Sequence, residues 1–199
     1  MQRFDFLKSI AEDSGSALVV CTGWAAREWW AIRPSEGNLK TRTLGLVSST
    51  AAGLALALPH RKVIAIDGDG AFLMNLCGLP TIALQNPPNL IHLLFDNQVY
   101  EASGGTATAS HIADAVALAK GAGYRHAGWM KTVEEFRSEF IQAWKRNQLA
   151  LIAAKVEPGQ PSALPPLRVD EIENKYRFMR YLEQTEKKGI LNPGFDSKR

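Results

Sequence analysis

Cysteine is scarce in this 199-residue chain: Cys21 and Cys77 are the whole complement. Two thiols make no disulfide framework and no iron–sulfur ligand pattern, so a reduced, cytoplasmic compartment is the expectation. No apolar run approaches the roughly 18 residues of a membrane span, and the opening "MQRFDFLKSIAEDSG" lacks the apolar stretch of a signal peptide. The net charge is only +3 and no Lys/Arg block stands out, which argues against a nucleic-acid or membrane partner. There is no internal repeat or low-complexity tract, no Walker loop, no G-x-G-x-x-G and no Ser-His-Asp order. The four histidines show no metal-ligand spacing.

What is present is a globular balance, 46% hydrophobic and 22% charged residues. The length suits one domain over residues 1–199, ending in a strap and helix from about 157 to 199. Phe4, Phe6, Leu7, Ile10 and Ala11 give a short amphipathic helix. "ALVVC" (17–21), "KVIAI" (62–66), "LIHLLF" (90–95) and "ALIAAKV" (150–156) read as buried strands, with a shorter one near Tyr124–His126. Helices are expected at 25–32, 46–58, 71–85 (kinked or split by Pro80), 112–123, 133–146 and 170–188, while "EGNLKTRTLG" reads as loop. Short apolar strands alternating with helices predict an α/β fold, a parallel sheet with helices on both faces.

Two polar residues end two of these strands. Asp69 follows strand 62–66 inside Gly68-Asp69-Gly70, and Asn97 follows strand 90–95, 28 positions later. Ligands of open parallel sheets bind beyond the carboxyl ends of the strands. If the two strands are neighbours, a carboxylate and a carboxamide meet there, an oxygen set suited to Mg²⁺ shared with a phosphate-bearing ligand. The flanking glycines let backbone approach that ligand, and Gly70 and Ala71 open a helix whose free N–H groups attract anions. The plainer reading, two unrelated turns, holds for Gly-Asp-Gly alone but weakens once both strand ends are considered together.

The spacing from GDG to Asn resembles the thiamine-diphosphate fingerprint. "TGWAAREWW", "TLGLVSSTAAGLALAL", "KVIAIDGDGAFLMNLCGLPTIA", "NLIHLLFDNQVYEASGG" and "YRFMRYL" occur in an order similar to the cofactor-binding half of phosphonopyruvate and sulfopyruvate decarboxylases. The resemblance implies a thiamine-diphosphate-binding fold in which Asp69, Asn97 and the Val99 carbonyl ligate Mg²⁺. It implies that Gly68, Gly70 and Ala71 meet the diphosphate, with Thr22 and Gly23 beside it and Tyr100 and Glu101 in the loop that closes over it. "RTLG" stands where the family reads Gly-Ser-Met-Gly, so Arg42, Thr43 and Leu44 would hold the pyrimidine side, Leu44 as the bulky prop. "GGTATAS" departs from the family's Gly-Gly-Gln-Pro-Thr at Thr106 and Ala107.

The glutamate that activates the pyrimidine lies, in that family, on a separate pyrimidine-binding domain. About twenty residues precede the first strand, too few for such a domain. The expectation is therefore a partner: an α-type pyrimidine-domain subunit in a hetero-oligomer, acting on a small anionic 2-oxo acid. Lys40 and Arg42 are the nearest cations for its anionic tail, and the catalytic assignment on this chain stays unknown, with His111 a weak acid–base candidate. The alternatives are a thiamine-diphosphate carboligase, a 2-oxoacid oxidoreductase subunit, or a non-catalytic cofactor-binding subunit. Glu28 reads as a positioner of Arg27, as an interface group, or as an ordinary surface carboxylate. His92 reads as a satisfied core residue and Cys77 as core filling; Trp24, Trp29 and Trp30 read either as plain core and surface residues or with at least one of them as a partner contact.

Overall fold

The computed structural model describes residues 1–167 and 169–190; the last residues of the C-terminal segment, 191–199, lie outside them. In chain order the elements are α1 (Arg3–Ile10), β1 (Leu18–Cys21), α2 (Gly23–Ile32), β2 (Asn38–Lys40), α3 (Val47–Ala57), β3 (Val63–Gly68), α4 (Asp69–Leu73), α5 (Gly78–Gln85), β4 (Leu90–Asp96), β5 (Val99–Tyr100), β6 (Thr106–Ala107), α6 (Ala115–Gly121), β7 (His126–Met130), α7 (Val133–Arg146), β8 (Ala150–Lys155) and α8 (Glu171–Glu186). Six strands form one sheet in the order β2-β1-β3-β4-β8-β7, every pair parallel. β5 and β6 make a separate antiparallel hairpin.

The strands are apolar without alternation because both faces are covered. On one face α1, α2 and α7 deliver Phe6, Ile10, Trp29, Phe136 and Phe140. On the other, α3, α5, α6 and α8 deliver Ala51, Ala55, Ile82, Val116 and Phe178. The small residues of α3 let its backbone lie close to the sheet. The chain leaves β1 for β2 on one side and returns to β3 on the other, so the topological switch point falls between β1 and β3. β3 and β4 are adjacent, with Gly68 opposite Phe95. Asp69 and Asn97 therefore leave the sheet at one edge.

Several expectations are corrected. Asn38–Lys40, read as loop, is the edge strand β2. Its outer edge is covered by one side chain of α8: Asn174 Oδ1 accepts from Lys40 N–H at 2.7 Å and its Nδ2 donates to the Asn38 carbonyl at 2.9 Å. The strand expected at 124–126 is β7, starting at His126; "HAGWM" is half-buried and lacks β-branched residues, so its pattern is weak. The helix expected over 71–85 splits at 74–77, upstream of Pro80, which occupies the first turn of α5 where a missing N–H costs nothing. Cys77 is exposed at that break, not core filling.

The last turn of α8 docks through Glu186, which accepts from His60 at 2.6 Å and Arg61 at 2.7 Å. Burial pushes this carboxyl up, but the hydrogen bonds and charges of His60 and Arg61 outweigh it, so its pKa falls below the ordinary value. A depressed carboxyl contributes stability above its unfolded pKa and loses it as pH drops through its folded pKa. Glu186→Gln is expected to cost about 1 kcal/mol at neutral pH. The gap between thermal melts of the two proteins should shrink as pH falls below the ordinary carboxylate range; a gap that does not shrink assigns the effect to packing.

Candidate functional site

β3 runs directly into α4, so Asp69 is the first residue of a helix and Gly68 precedes it in extended conformation. Asp69 is 2% exposed and Asn97 8%. Asp69 Oδ2 accepts from Ser110 Oγ at 2.8 Å and from the Thr108 hydroxyl. Ser110 Oγ also lies 2.9 Å from Asp96 Oδ1, and Lys155 pairs with the other Asp96 oxygen. Burial raises the Asp69 pKa, the Thr108 and Ser110 hydroxyls and the Asn97 N–H act against the shift, and the Asp96 charge adds to it. Past β4, Asn97 Oδ1 accepts from Val99 N–H at 3.1 Å, and Gln98 takes a left-handed conformation (φ 63°) to make that turn.

One cleft gathers the ends of these elements. Thr22 and Gly23 come from the end of β1, Leu44 from the loop before α3, Gly68 to Ala71 from the β3–α4 junction, and Asn97, Val99, Tyr100 and Glu101 from the segment after β4. The residues lining it include Asp69, Asn97 and Val99, whose carboxylate, carboxamide and backbone carbonyl are oxygen groups of the kind a hard divalent cation takes. Among the described residues no group of three or more His, Cys, Asp or Glu side chains is placed to hold a metal ion, so side-chain carboxylates alone do not make the site. Gly70 is where bulk is excluded: a Cβ there would lie 2.3 Å from Tyr100 Cε1. The residues present thus fit a metal-bound diphosphate.

Other expected residues fall elsewhere. Arg42 and Thr43 do not line the cleft. Lys40 lies 3.1 Å and Arg42 3.8 Å from Glu171 of α8, and Arg42 is 85% exposed. His111 is exposed on a 3-10 turn (Ala109–His111) outside the cleft. Thr106 and Ala107 form the exposed β6, so the departure from the family loop is on the outer hairpin, whereas Thr108 and Ser110 behind it grip Asp69. His92 is wholly buried, but its ring nitrogens have no hydrogen-bond partner; Nε2 is 3.5 Å from Asp67, which is equally buried. It is a core residue and not a satisfied one. Trp29 is buried and donates to Asn38 at 3.1 Å, while Trp24 stands 38% exposed at the cleft.

Glu28 is not a surface group and does not position Arg27. Arg27 instead holds the strap, donating to the Pro165 and Leu164 carbonyls and to Gln160. Glu28 is fully buried and accepts from Arg3 Nε and Nη2, at 2.8 Å each. Burial raises its pKa and Arg3 opposes that shift. Sequence reasoning missed Arg3, Thr108, Ser110, Asp96 and Lys155. For Arg3 a signal existed: it shares the stripe of Phe6, Leu7 and Ile10, a cation on the apolar face of α1.

Among the described residues no helix is long and apolar enough to cross a membrane. Residues 19–154 match the family described as thiamine pyrophosphate enzyme, C-terminal TPP binding domain. The chain is 32% identical over 188 residues to the sulfopyruvate decarboxylase subunit beta of Methanocaldococcus jannaschii, covering 92% of this chain and 98% of that one. It is 31% identical over 165 residues to the phosphonopyruvate decarboxylase of Streptomyces hygroscopicus, covering 81% of this chain but 41% of that longer protein. A thiamin diphosphate-dependent enzyme from Mycobacterium smegmatis superposes with a TM-score of 0.69 at 18% identity, over 80% of this chain and 32% of that one, which shows a shared fold. The chain therefore belongs to the thiamine pyrophosphate enzymes, as a bearer of their C-terminal cofactor-binding domain in the group that includes the sulfopyruvate decarboxylase beta subunits.

Proposed function

We propose that the chain, as a single diphosphate-binding unit, is one subunit of a thiamine-diphosphate- and Mg²⁺-dependent decarboxylase acting in the cytoplasm on a small anionic 2-oxo acid of the sulfopyruvate or phosphonopyruvate type. The observation that carries this reading is the meeting of Asp69 and Asn97 at the tips of two adjacent parallel strands, in one cleft with Gly70 and Val99. Asp69, Asn97 and the Val99 carbonyl would hold Mg²⁺; the Gly70 and Ala71 N–H groups, with Thr22 and Gly23, would hold the diphosphate. When bound, the cofactor supplies the electron sink that carbon dioxide loss from a 2-oxo acid requires.

The chain's own part is positioning. Thr108 and Ser110 fix the Asp69 carboxylate, Leu44 lines the cleft and would serve as the bulky prop, and Tyr100 covers Gly70. Lys40 and Arg42 both reach Glu171, at 3.1 and 3.8 Å, and Arg42, the more exposed of the two, would be the one freer to meet the substrate's tail. A separate pyrimidine-domain subunit would complete the site. That partner is supported by the subunit naming of relatives matched over nearly their whole length, and by the exposed apolar Trp24 and Leu44 lining the cleft.

The test is product analysis. The chain is mixed with its pyrimidine-domain partner, Mg²⁺, thiamine diphosphate and either sulfopyruvate or 3-phosphonopyruvate. Carbon dioxide and the corresponding aldehyde are expected in equal amounts, with negligible turnover by the chain alone. A product with a new carbon–carbon bond would make it a carboligase, and robust turnover without a partner would remove the split-site reading.

A further inference from the structure

Arg3 lies on the wall of the cleft and is 6% exposed. Its Nε and Nη2 form a fork on the two Glu28 oxygens, and its Nη1 donates to Glu101 Oε2 at 3.0 Å. The other Glu101 oxygen accepts from the Gly159 N–H of the strap. Glu101 begins the 3-10 turn Glu101–Ser103, immediately after Val99 and Tyr100. One buried guanidinium thus joins α1, α2 and the segment that closes the cleft.

The two ends of this junction are held very differently. α1 is fixed by Phe6, Leu7 and Ile10, all wholly buried. Residues 102–107 are all exposed, and the 3-10 turn has no buried residue. Apolar packing therefore holds this loop little; beside the β5–β6 pairing and the grip of Thr108 on Asp69, the bonds at Glu101 tie it to α1 and the strap. The forked Arg3–Glu28 pair is complete without Glu101, so its departure would leave a neutral buried pair, not a stranded charge. That arrangement allows the contact to open and close without disturbing the core.

We propose that Arg3 is a positioning residue of the cofactor loop: the N-terminal helix presents a fixed cation that captures Glu101 and so keeps Val99 and Tyr100 against the cleft. The consequence for cofactor affinity rests on the function proposed above, whereas the latch itself is a property of the free chain.

Hydrogen exchange of the full free chain, and calorimetric titration of the chain together with its pyrimidine-domain partner by Mg²⁺ and thiamine diphosphate, separate the two. Arg3→Met combined with Glu28→Leu removes the cation without leaving a lone buried carboxylate; Glu101→Gln leaves the Arg3–Glu28 fork whole. In both proteins the amides of residues 99–107 are expected to exchange about tenfold faster, with β3 and β4 unchanged. Cofactor affinity should weaken by about the same factor. A loop as protected as in the parent overturns the latch, and so does lost protection throughout β3 and β4 in both proteins, which would make the cluster a folding element. If the parent binds no thiamine diphosphate with that partner present, the functional reading falls while the exchange result still decides the latch.

Discussion

Asp69→Ala is expected to abolish Mg²⁺-dependent thiamine diphosphate binding, lowering affinity by about 100-fold or more, because it removes the one carboxylate among the proposed metal ligands. The fold should survive. Asp69 is buried with its pKa raised, so the free protein holds this charge at a cost that a cation would offset. Its hydroxyl partners also have alternatives: Ser110 lies within reach of Asp96, and Thr108 within 2.8 Å of Ser110. Asp69→Asn keeps an acceptor for both hydroxyls and changes only charge, so it isolates the electrostatic part, and a smaller loss of about tenfold is expected. Calorimetry with and without Mg²⁺ reads both variants. Parent-like affinity in Asp69→Ala would mean that the carboxylate serves the Thr108–Ser110 network alone.

How far the sequence carries depends on what kind of contact builds each part. α7 was legible to the residue, Val133–Arg146, because its signals are local: Thr132 caps it by accepting from Glu135 N–H, and Asn147 ends it in left-handed conformation. β1, β3, β4 and β8 were legible because burial on both faces leaves uninterrupted apolar runs. The meeting of Asp69 and Asn97 followed from those strands with one further assumption, that they are neighbours. β2 has a single apolar residue in three, and its place depends on Asn174, over a hundred residues away. The grip of Thr108 and Ser110 on Asp69 and of Arg3 on Glu101 likewise joins polar side chains distant in sequence, which leave no periodic trace. Glu28 shows the same limit: its neighbour Arg27 looked like its partner, and the cation that pairs with it lies 25 residues upstream.

Gly70→Ala is expected to separate binding from stability. Gly70 is buried within α4 and is not among the residues of positive φ, so alanine meets no backbone strain there. In a helix, alanine is even favoured over glycine by about 1 kcal/mol. What the methyl meets is the Tyr100 ring, 2.3 Å from Cε1 and 2.8 Å from Cδ1. That ring is the far end of a rotatable side chain in a loop with little packing of its own, so it can swing away. The melting temperature should move by no more than about 4 °C. Affinity for thiamine diphosphate, in contrast, should fall about 10- to 100-fold, since the methyl occupies the face proposed for backbone approach to the diphosphate and for closure of Tyr100. Adding Tyr100→Ala tells which of the two matters. If Tyr100 displacement carries the loss, the two substitutions are strongly non-additive; if the methyl blocks the ligand itself, their effects add. Undiminished affinity in Gly70→Ala would take the diphosphate away from this glycine, and with it the cradle built on the β3–α4 junction.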